Sequence, residues 1–433
     1  MTNPTFILPS SPGIAANNLY ALKVGNQPER FSPISGTFAR STTASRQNAN
    51  GLIESIGINT PRLDYTYGSC PALLLEPQRT NLYLYSNDFS NVFWLKNNVS
   101  ITSNSSTSPD GNINATTLIG NGTSIPKNIV QNISVTLGVT YTITFFARKN
   151  TNSFVQIATS SATFASTSFA NFDLNNGIVG TVGSTATATI QSMGNGWYRC
   201  SMTATATATA SGGAGIYLIS ASNSVRAEVN TLSTDIYIYG FQLEQGSFPT
   251  TYIPTTSAAV TRTADTFSYS NIYTNGYVSS QGGTWLIELK NNVSYVRDIS
   301  VVGIFIGDSN SGLTNSFAIS ALGGGGRLRI GKFLSNIYTQ LYLTTTDNVK
   351  IAIKWNGATA DIFVNGVKQV STTVFTATFL EYLYHSTSSE VPKFIQQMAL
   401  FNTPLSDAEC VLLTSDTYGS FATLASSTSY TLS

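Results

Sequence analysis

Apolar and polar residues alternate with a period of two in several runs from about residue 141 onward, and the clearest are bounded by turn residues. Tyr141-Thr142-Ile143-Thr144-Phe145-Phe146-Ala147-Arg148 alternates before Lys149-Asn150, and Gly194-Asn195-Gly196 turns the chain into Trp197-Tyr198-Arg199-Cys200-Ser201-Met202. Asp235-Ile236-Tyr237-Ile238-Tyr239-Gly240-Phe241-Gln242-Leu243 repeats the pattern. Strict alternation over four to eight residues marks a half-buried strand. The Thr-Ala repeats at 203–210 keep the same period and extend the Trp197 strand, with a low-complexity linker as the alternative reading. Strands at this spacing, with no long helical pattern between them, predict a sandwich or jelly roll over 83–256.

A second set of strands is predicted over 262–420. Ile351, Ile353 and Trp355 share one face, Asn356-Gly357 turns the chain, Ile362 and Val364 share the next face, and Asn365-Gly366 turns again. Asn-Gly between alternating runs is a strong hairpin signal, because both central residues take positive φ; two such turns predict a β-meander. A short helix follows: in Ser406-Asp407-Ala408-Glu409 the Ser406 hydroxyl accepts from the Glu409 amide while Glu409 reaches back, and Leu405, Val411 and Leu412 are the side chains expected to hold it on a sheet. Residues 1–82 read differently. They are rich in Pro, Gly, Asn and Ser, carry Arg30, Arg40, Arg46, Arg62 and Arg79, and have only short apolar runs such as Leu73-Leu74-Leu75. Such a segment wraps on a neighbouring domain or subunit rather than forming a core of its own. The expected architecture is therefore all-β: two antiparallel β-sandwich (jelly-roll) domains in tandem after an extended N-terminal attachment segment, with 421–433 as a tail.

Composition narrows the function. Hydrophobic residues make up 42% of the 433, enough for more than one core, whereas charged residues make up only 10%, well under the usual quarter. The formal net charge of +1 gives no electrostatic reason to expect nucleic acid as a partner. No run approaches the roughly 18 apolar residues of a membrane span, and Met1-Thr2-Asn3-Pro4 opens without the basic patch and apolar run of a secretory signal. Cys70, Cys200 and Cys410 are odd in number and far apart, and one His is present, so neither a disulfide framework nor a zinc site is expected. All three cysteines read as small buried apolar residues.

Two stretches carry a resemblance. Phe38-Ala39-Arg40-Ser41-Thr42 to Gly51-Leu52-Ile53, Pro61-Arg62-Leu63-Asp64-Tyr65 and Leu73-Leu74-Leu75-Glu76-Pro77-Gln78-Arg79-Thr80-Asn81-Leu82 resemble a segment that recurs in bacteriophage tail-fibre, head-fibre and other receptor-binding virion proteins. There the segment runs into a jelly roll similar to a carbohydrate-binding module. This chain follows with Ser86-Asn87-Asp88-Phe89, Trp94, Gly240-Phe241-Gln242-Leu243-Glu244-Gln245-Gly246-Ser247 and Thr251-Tyr252-Ile253-Pro254-Thr255, so the match spans 38–256. Ile351-Ala352-Ile353-Lys354-Trp355, Ile362-Phe363-Val364-Asn365-Gly366 and Met398-Ala399-Leu400-Phe401 resemble concanavalin A-like, laminin G-like sandwiches, a pattern that speaks to fold more than function. The resemblance implies a structural virion component, a fibre or decoration protein, attached to other virion proteins through its N-terminal segment. It also implies a homotrimer that presents glycan-binding-type sandwiches to a host-surface glycan.

The residues offer little for catalysis. General acid/base work needs two carboxylates at a set separation or a poised His. The single His385 reads as a surface or edge residue, and no acidic pair carries a recognisable motif. No enzyme activity and no cofactor are expected. The alternatives are a tailspike enzyme, which predicts acidic residues in one cleft, and a secreted bacterial adhesin, which predicts a leader or sorting tail. Gly323-Gly324-Gly325-Gly326 lacks the Lys-Ser/Thr of a phosphate loop and reads as a turn. Asp308-Ser309-Asn310-Ser311-Gly312 offers oxygens to a structural calcium, with Asp308 the candidate ligand, but also reads as a plain turn with no acidic residue twelve on. Sugars are held by aromatic rings under pyranose faces and polar side chains on hydroxyls. Trp285, Tyr239 and Tyr237 are the rings singled out; the two tyrosines share a strand face that is either a stacking strip or a buried ladder.

Overall fold

The computed structural model describes residues 6–8, 36–68, 71–276, 279, 282–290, 301–307, 316–322, 327–332, 337–342, 349–356, 359–373, 382–385 and 393–415. Among them are thirty-one strands and one helix. The chain is all-β, as its periodicity implies. Cys70, Asp308, the Gly323–Gly326 run and the tail from 421 lie outside the described residues. The chain divides into two compact units, one made of 1–41, 58–77 and 264–433, the other of 42–57 and 78–263. The first 82 residues, expected as one segment ahead of two tandem domains, instead supply strands to both units. Their short apolar runs cannot bury themselves alone: Gly36–Ala39, Arg62–Asp64, Ala72–Leu75 and Arg79–Asn81 pair with strands from later in the chain or extend their sheets, and Ala44–Gln47 pairs with Ile53–Ile56 as a hairpin.

The first unit holds two antiparallel sheets. One has the strand order Val367–Thr373, Thr359–Val364, Val349–Asn356, Gly282–Lys290, Lys393–Phe401, Ala72–Leu75, Arg62–Asp64, with Phe6–Leu8 also paired to Lys393–Phe401. The other runs Gly36–Ala39, Thr266–Tyr269, Tyr382–His385, Val301–Gly307, Ser316–Leu322, Arg327–Lys332, Ile337–Tyr342. Trp285, Ile351, Ile353, Trp355, Ile362 and Leu400 from the first sheet meet Phe267, Tyr269 and Ile306 from the second in one core. The expected meander is present, with Asn365 at φ +47° and Gly366 at φ +80° in its second turn. The helix Asp407–Thr414 has its capping box: Ser406 Oγ accepts from Glu409 N, and Glu409 accepts from Ser406 N. It packs through Leu405, Cys410 and Leu413 on Leu286, Ala352, Phe363 and Ala399, while Val411 points outward. Of the residues expected to hold it, Leu405 is in this cluster and the half-buried Leu412 packs against it, whereas Val411 turns outward and Cys410 and Leu413 take the inward positions.

A buried ionic cluster ties the early strands into this unit. Arg40 Nη1 donates to Asp265 Oδ1 at 2.9 Å, Arg62 Nη1 to Glu76 Oε2 at 2.7 Å, and Arg62 Nη2 to Asp265 Oδ2. The main chain completes it, with Glu76 N on Asp265 Oδ2 at 2.8 Å and Asp265 N on Glu76 O at 2.9 Å. The arginines and Asp265 are sealed from solvent. Burial pulls both guanidinium pKa values down; at Arg40 burial prevails despite Asp265, whereas at Arg62 Glu76 and Asp265 more than offset it.

The second unit is a sandwich of two six-stranded antiparallel sheets. One runs Ala186–Ser192, Trp197–Thr205, Thr140–Lys149, Asp235–Gln245, Ile113–Gly120, Val99–Thr107; the other runs Ile178–Val182, Phe169–Asp173, Phe154–Thr159, Ala210–Leu218, Lys127–Val135, Leu95–Asn97. Ile143, Phe145, Cys200, Met202, Ile236 and Ile238 face Ile129, Val155, Ile157, Phe172 and Ile216 across the core. The Thr-Ala run splits: residues through Thr205 are strand, and 207–209 turn before Ala210–Leu218. A bulge interrupts Asp235–Gln245. Phe146 opposes Tyr239 but Thr144 opposes Gln242, so one extra residue enters at Gly240, φ +57°. The bulge switches which parity faces inward: Ile236 and Ile238 before it and Phe241 and Leu243 after it all reach the core.

Candidate functional site

Two of the three rings singled out from the sequence, Trp285 and Tyr239, are buried. Trp285 is 0% exposed, at the centre of the first unit's core, because its strand neighbours Ile287 and Leu289 share its inward face. Tyr239 is 6% exposed and packs with Phe146, Trp197 and Tyr252 beneath the hairpin of Ala44–Gln47 and Ile53–Ile56. Its hydroxyl donates to Asp110 Oδ2 at 3.0 Å. Burial, with the neighbouring Tyr252 and Asp110, pushes that hydroxyl pKa up. Asp110 is itself opposed by burial, but donors on Ser108, Asn114, the Asn112 amide and Tyr239 outweigh this and hold it below the usual carboxylate range. Tyr237 is half-buried and its ring is occupied: the Arg148 guanidinium lies 4.7 Å from its centroid and 5.3 Å from that of Trp197. Of the face read as strip or ladder, Tyr239 is buried where the early hairpin, remote in sequence, folds over it, and Tyr237 is half-buried under Arg148.

The second unit's other sheet carries a polar row on its outer side, of which Asn97 is exposed and Tyr217 half-buried while Asn128, Gln156 and Asn171 are covered. Asn97, Asn128, Tyr217, Gln156 and Asn171 stand opposite one another on five adjacent strands. Their sequence neighbours Ile129, Val155, Phe172 and Ile216 point into the core, so this polar row points away from it. Asn97 Nδ2 donates to Asn128 Oδ1 at 2.8 Å and Gln156 Nε2 to Asn171 Oδ1 at 2.7 Å, with the half-buried Tyr217 between the two pairs. Two residues along each strand, Leu95, Val130, Gly215, Ala158 and Phe169 form a parallel apolar row. Its middle is low, because only glycine fits there: a Cβ on Gly215 would lie 2.2 Å from Ile129 O and 2.8 Å from Val130 Cα.

An aromatic edge borders this face on the Leu95 side. Phe93, 49% exposed, is the most exposed aromatic side chain among the described residues. Its ring lies 5.6 Å from that of Tyr85 at an interplanar angle of 30°. Val92 and Leu95 beside it are exposed too. The loop is rigid for physical reasons. Trp94 packs on Tyr83, Phe89 and Phe241 below it, with Trp94 Nε1 on Tyr85 O at 3.0 Å. Lys96 Nζ donates to the carbonyls of Phe89, Asn91 and Trp94 at 2.9, 3.1 and 2.8 Å, closing the loop around one ammonium. Burial lowers the Lys96 pKa, and Asp88 partly counters this. Tyr85 sits at φ +49°. Asp88, Ser90 and Asn91 supply polar groups on the same loop. None of this was legible as a site; the only signal was an aromatic beside the Trp94 of a familiar motif.

The opposite border is the loop 219–234. Two buried amides clamp it to the sheet: Gln156 Nε2 donates to Val225 O at 3.1 Å, Gln156 Oε1 accepts from Ala227 N at 2.7 Å, and Asn171 Nδ2 donates to Ser222 O and Ser224 O at 3.1 and 2.7 Å. At its tip Arg226 Nη2 donates to Thr159 O. Burial raises the Tyr217 pKa and the nearby Arg226 charge pulls it back. Lys127, buried, caps the carbonyls of Thr123, Ile125 and Asn230. Among the described residues no group of three or more His, Cys, Asp or Glu is placed to hold a metal ion, and no helix is long and apolar enough to cross a membrane.

No protein-family model and no curated protein matches the chain. Among solved structures it is similar to the carbohydrate-binding module CBM40 of the Ruminococcus gnavus IT-sialidase, at 14% identity over 32% of this chain and 84% of that one, TM-score 0.25. It is also similar to domain 4 of AbnA, a GH43 extracellular arabinanase from Geobacillus stearothermophilus, in complex with arabinotriose, at 17% identity over 35% and 73%, TM-score 0.25. A third likeness is to the binding domain of botulinum neurotoxin serotype D, at 11% identity over 35% of this chain and 40% of that chain, TM-score 0.27.

Proposed function

We propose that the chain is a noncatalytic glycan-recognition protein of a bacteriophage particle, and that the outward sheet face of the second unit makes the contact. The observation that carries the glycan reading is the Tyr85–Phe93 ring pair, with Phe93 exposed and Tyr85 half-buried, on a loop held by Trp94 and Lys96 beside the exposed Asn97. Rings stack on the C–H faces of a sugar while amides and hydroxyls match its hydroxyl groups. The noncatalytic reading is supported by the engagement of buried carboxylates in structural bonds: Asp265 and Glu76 with arginines, Glu244 with Gln242 and Thr250. The virion setting, attachment to other virion proteins and a homotrimeric state rest on the sequence resemblance. A shallow site binds weakly, and several copies on one particle raise avidity through effective concentration.

A glycan array probed with the full chain tests this. Binding is expected, and Phe93→Ala is expected to abolish it while leaving the melting temperature unchanged, since an exposed side chain contributes within about 0.5 kcal/mol to stability. Equal binding by Phe93→Ala, or no glycan bound even by a multimerised chain, refutes the reading. Sedimentation equilibrium is expected to give a trimer and mass spectrometry of purified particles to detect the chain; a micromolar monomer or its absence from particles retires those parts.

A further inference from the structure

Arg226 stands out among the cations of the second unit. Arg148 lies against Trp197 and Tyr237 and donates to Ser106. Lys127 and Lys96 are each capped by three carbonyls. Arg226 has one bond, Nη2 to Thr159 O, and its Nε is buried with no partner. A guanidinium carries five N–H donors in a planar fork suited to a carboxylate or sulfate, and most of this capacity is unused. The nearest acidic residue along the loop does not take it up: Glu228 accepts from Ser220 N at 2.7 Å, Ser220 Oγ at 2.6 Å and Asn230 Nδ2 at 3.2 Å. The loop that presents Arg226 is nevertheless held firmly, by the Gln156 and Asn171 amides. A fixed, half-buried cation without an anionic partner, at the border of an uncharged polar face, fits a partner that comes from outside.

We propose that Arg226 selects an acidic sugar: the outward sheet face takes a glycan bearing a carboxylate or sulfate, with the Arg226 fork on the anionic group, Tyr217 beside that residue, and the Tyr85–Phe93 pair under a sugar further along. This deepens the glycan-recognition reading and rests on it. The spacing suits a short oligosaccharide. From Leu95 to Ala158 the face crosses three inter-strand steps, about 14 Å at the usual separation. Between the two borders the exposed Asn97 and the half-buried Tyr217 are uncharged and can match hydroxyls without repelling the anion.

An array of neutral, carboxylated and sulfated oligosaccharides, probed with the full chain, tests the proposal. Acidic members are expected to bind at least about tenfold more tightly than their carboxyl-reduced or desulfated counterparts, as for a charge-assisted bidentate contact, and raised salt is expected to shrink the ratio. Arg226→Gln is expected to bring the ratio to about one while keeping the binding of neutral glycans and the melting temperature; Arg226→Lys is expected to retain part of it. Preference for the sulfated or the carboxylated members identifies the anion. Equal binding of acidic and neutral forms, or a preference that survives Arg226→Gln, overturns the proposal and leaves the glycan reading standing. Loss of all binding in Phe93→Ala with the acidic preference traced to Arg226 supports both. No binding to any member overturns both.

Discussion

Removing the Asp265 carboxylate is expected to destabilise the first unit severely. Asp265 accepts from Arg40 Nη1, from Arg62 Nη2 and from Glu76 N, at a site closed to solvent. In Asp265→Ala two buried guanidinium groups lose a counter-charge and a buried amide loses its acceptor. Breaking a buried ion pair on one side costs about 3–5 kcal/mol, and the bridging position of Asp265 puts the expectation at about 4 kcal/mol. With a urea slope of about 2 kcal/mol/M, the unfolding midpoint falls by about 2 M. Asp265→Asn keeps an acceptor but removes the charge, and its expected loss is about half. Because two units make a single two-state analysis unsafe, the measurement is made in a Trp94→Phe/Trp197→Phe background, where fluorescence reports Trp285 and Trp355 of the first unit. The argument is also specific to unpaired charge: replacing Arg40, Arg62, Glu76 and Asp265 together by apolar residues of similar volume is expected to recover most of the stability. A midpoint shift below about 0.5 M for Asp265→Ala would refute the reasoning.

Two further predictions concern the second unit. Gly215→Ala is expected to lower the melting temperature sharply, because its Cβ would meet Ile129 O at 2.2 Å, whereas Gly213→Ala on the same strand meets nothing nearer than Val130 Cγ2 at 3.4 Å and is expected to be tolerated; equal effects in thermal unfolding would overturn the tight-floor account. Asp110, held below its ordinary pKa in the folded state, contributes stability that is present above the unfolded value and lost as pH falls through the folded one. Asp110→Asn is therefore expected to be less stable than wild type at pH 7, and the gap is expected to close below about pH 4; a gap independent of pH in chemical denaturation would contradict it.

Local chemistry made much of the fold readable. Alternation in Thr140–Lys149, Trp197–Thr205 and Val349–Asn356 marked strands, because a pleated backbone sends successive side chains to opposite faces. The Asn365-Gly366 turn and the Ser406–Glu409 capping box were legible because each is settled by a few neighbouring residues. The same alternation could not say which faces would be covered. Tyr239 is buried because Ala44–Gln47 and Ile53–Ile56, almost two hundred residues earlier, close over it, and Trp285 because a second sheet faces it. The Gly240 bulge shifts the parity of its strand by one residue, which periodicity alone does not reveal. Nor could spacing bring Arg40, Arg62, Glu76 and Asp265 together. Arg40 and Asp265 are 225 residues apart, and only strand pairing sets them in contact. The candidate site has the same origin. Phe93, Tyr217 and Arg226 are unremarkable in sequence; the site they border exists because five strands meet in one register, with glycine at the floor and two amides holding a distant loop against the sheet. Secondary structure is set by interactions between near neighbours, which the sequence displays directly, whereas exposure and convergence depend on long-range pairing, which only the folded chain decides.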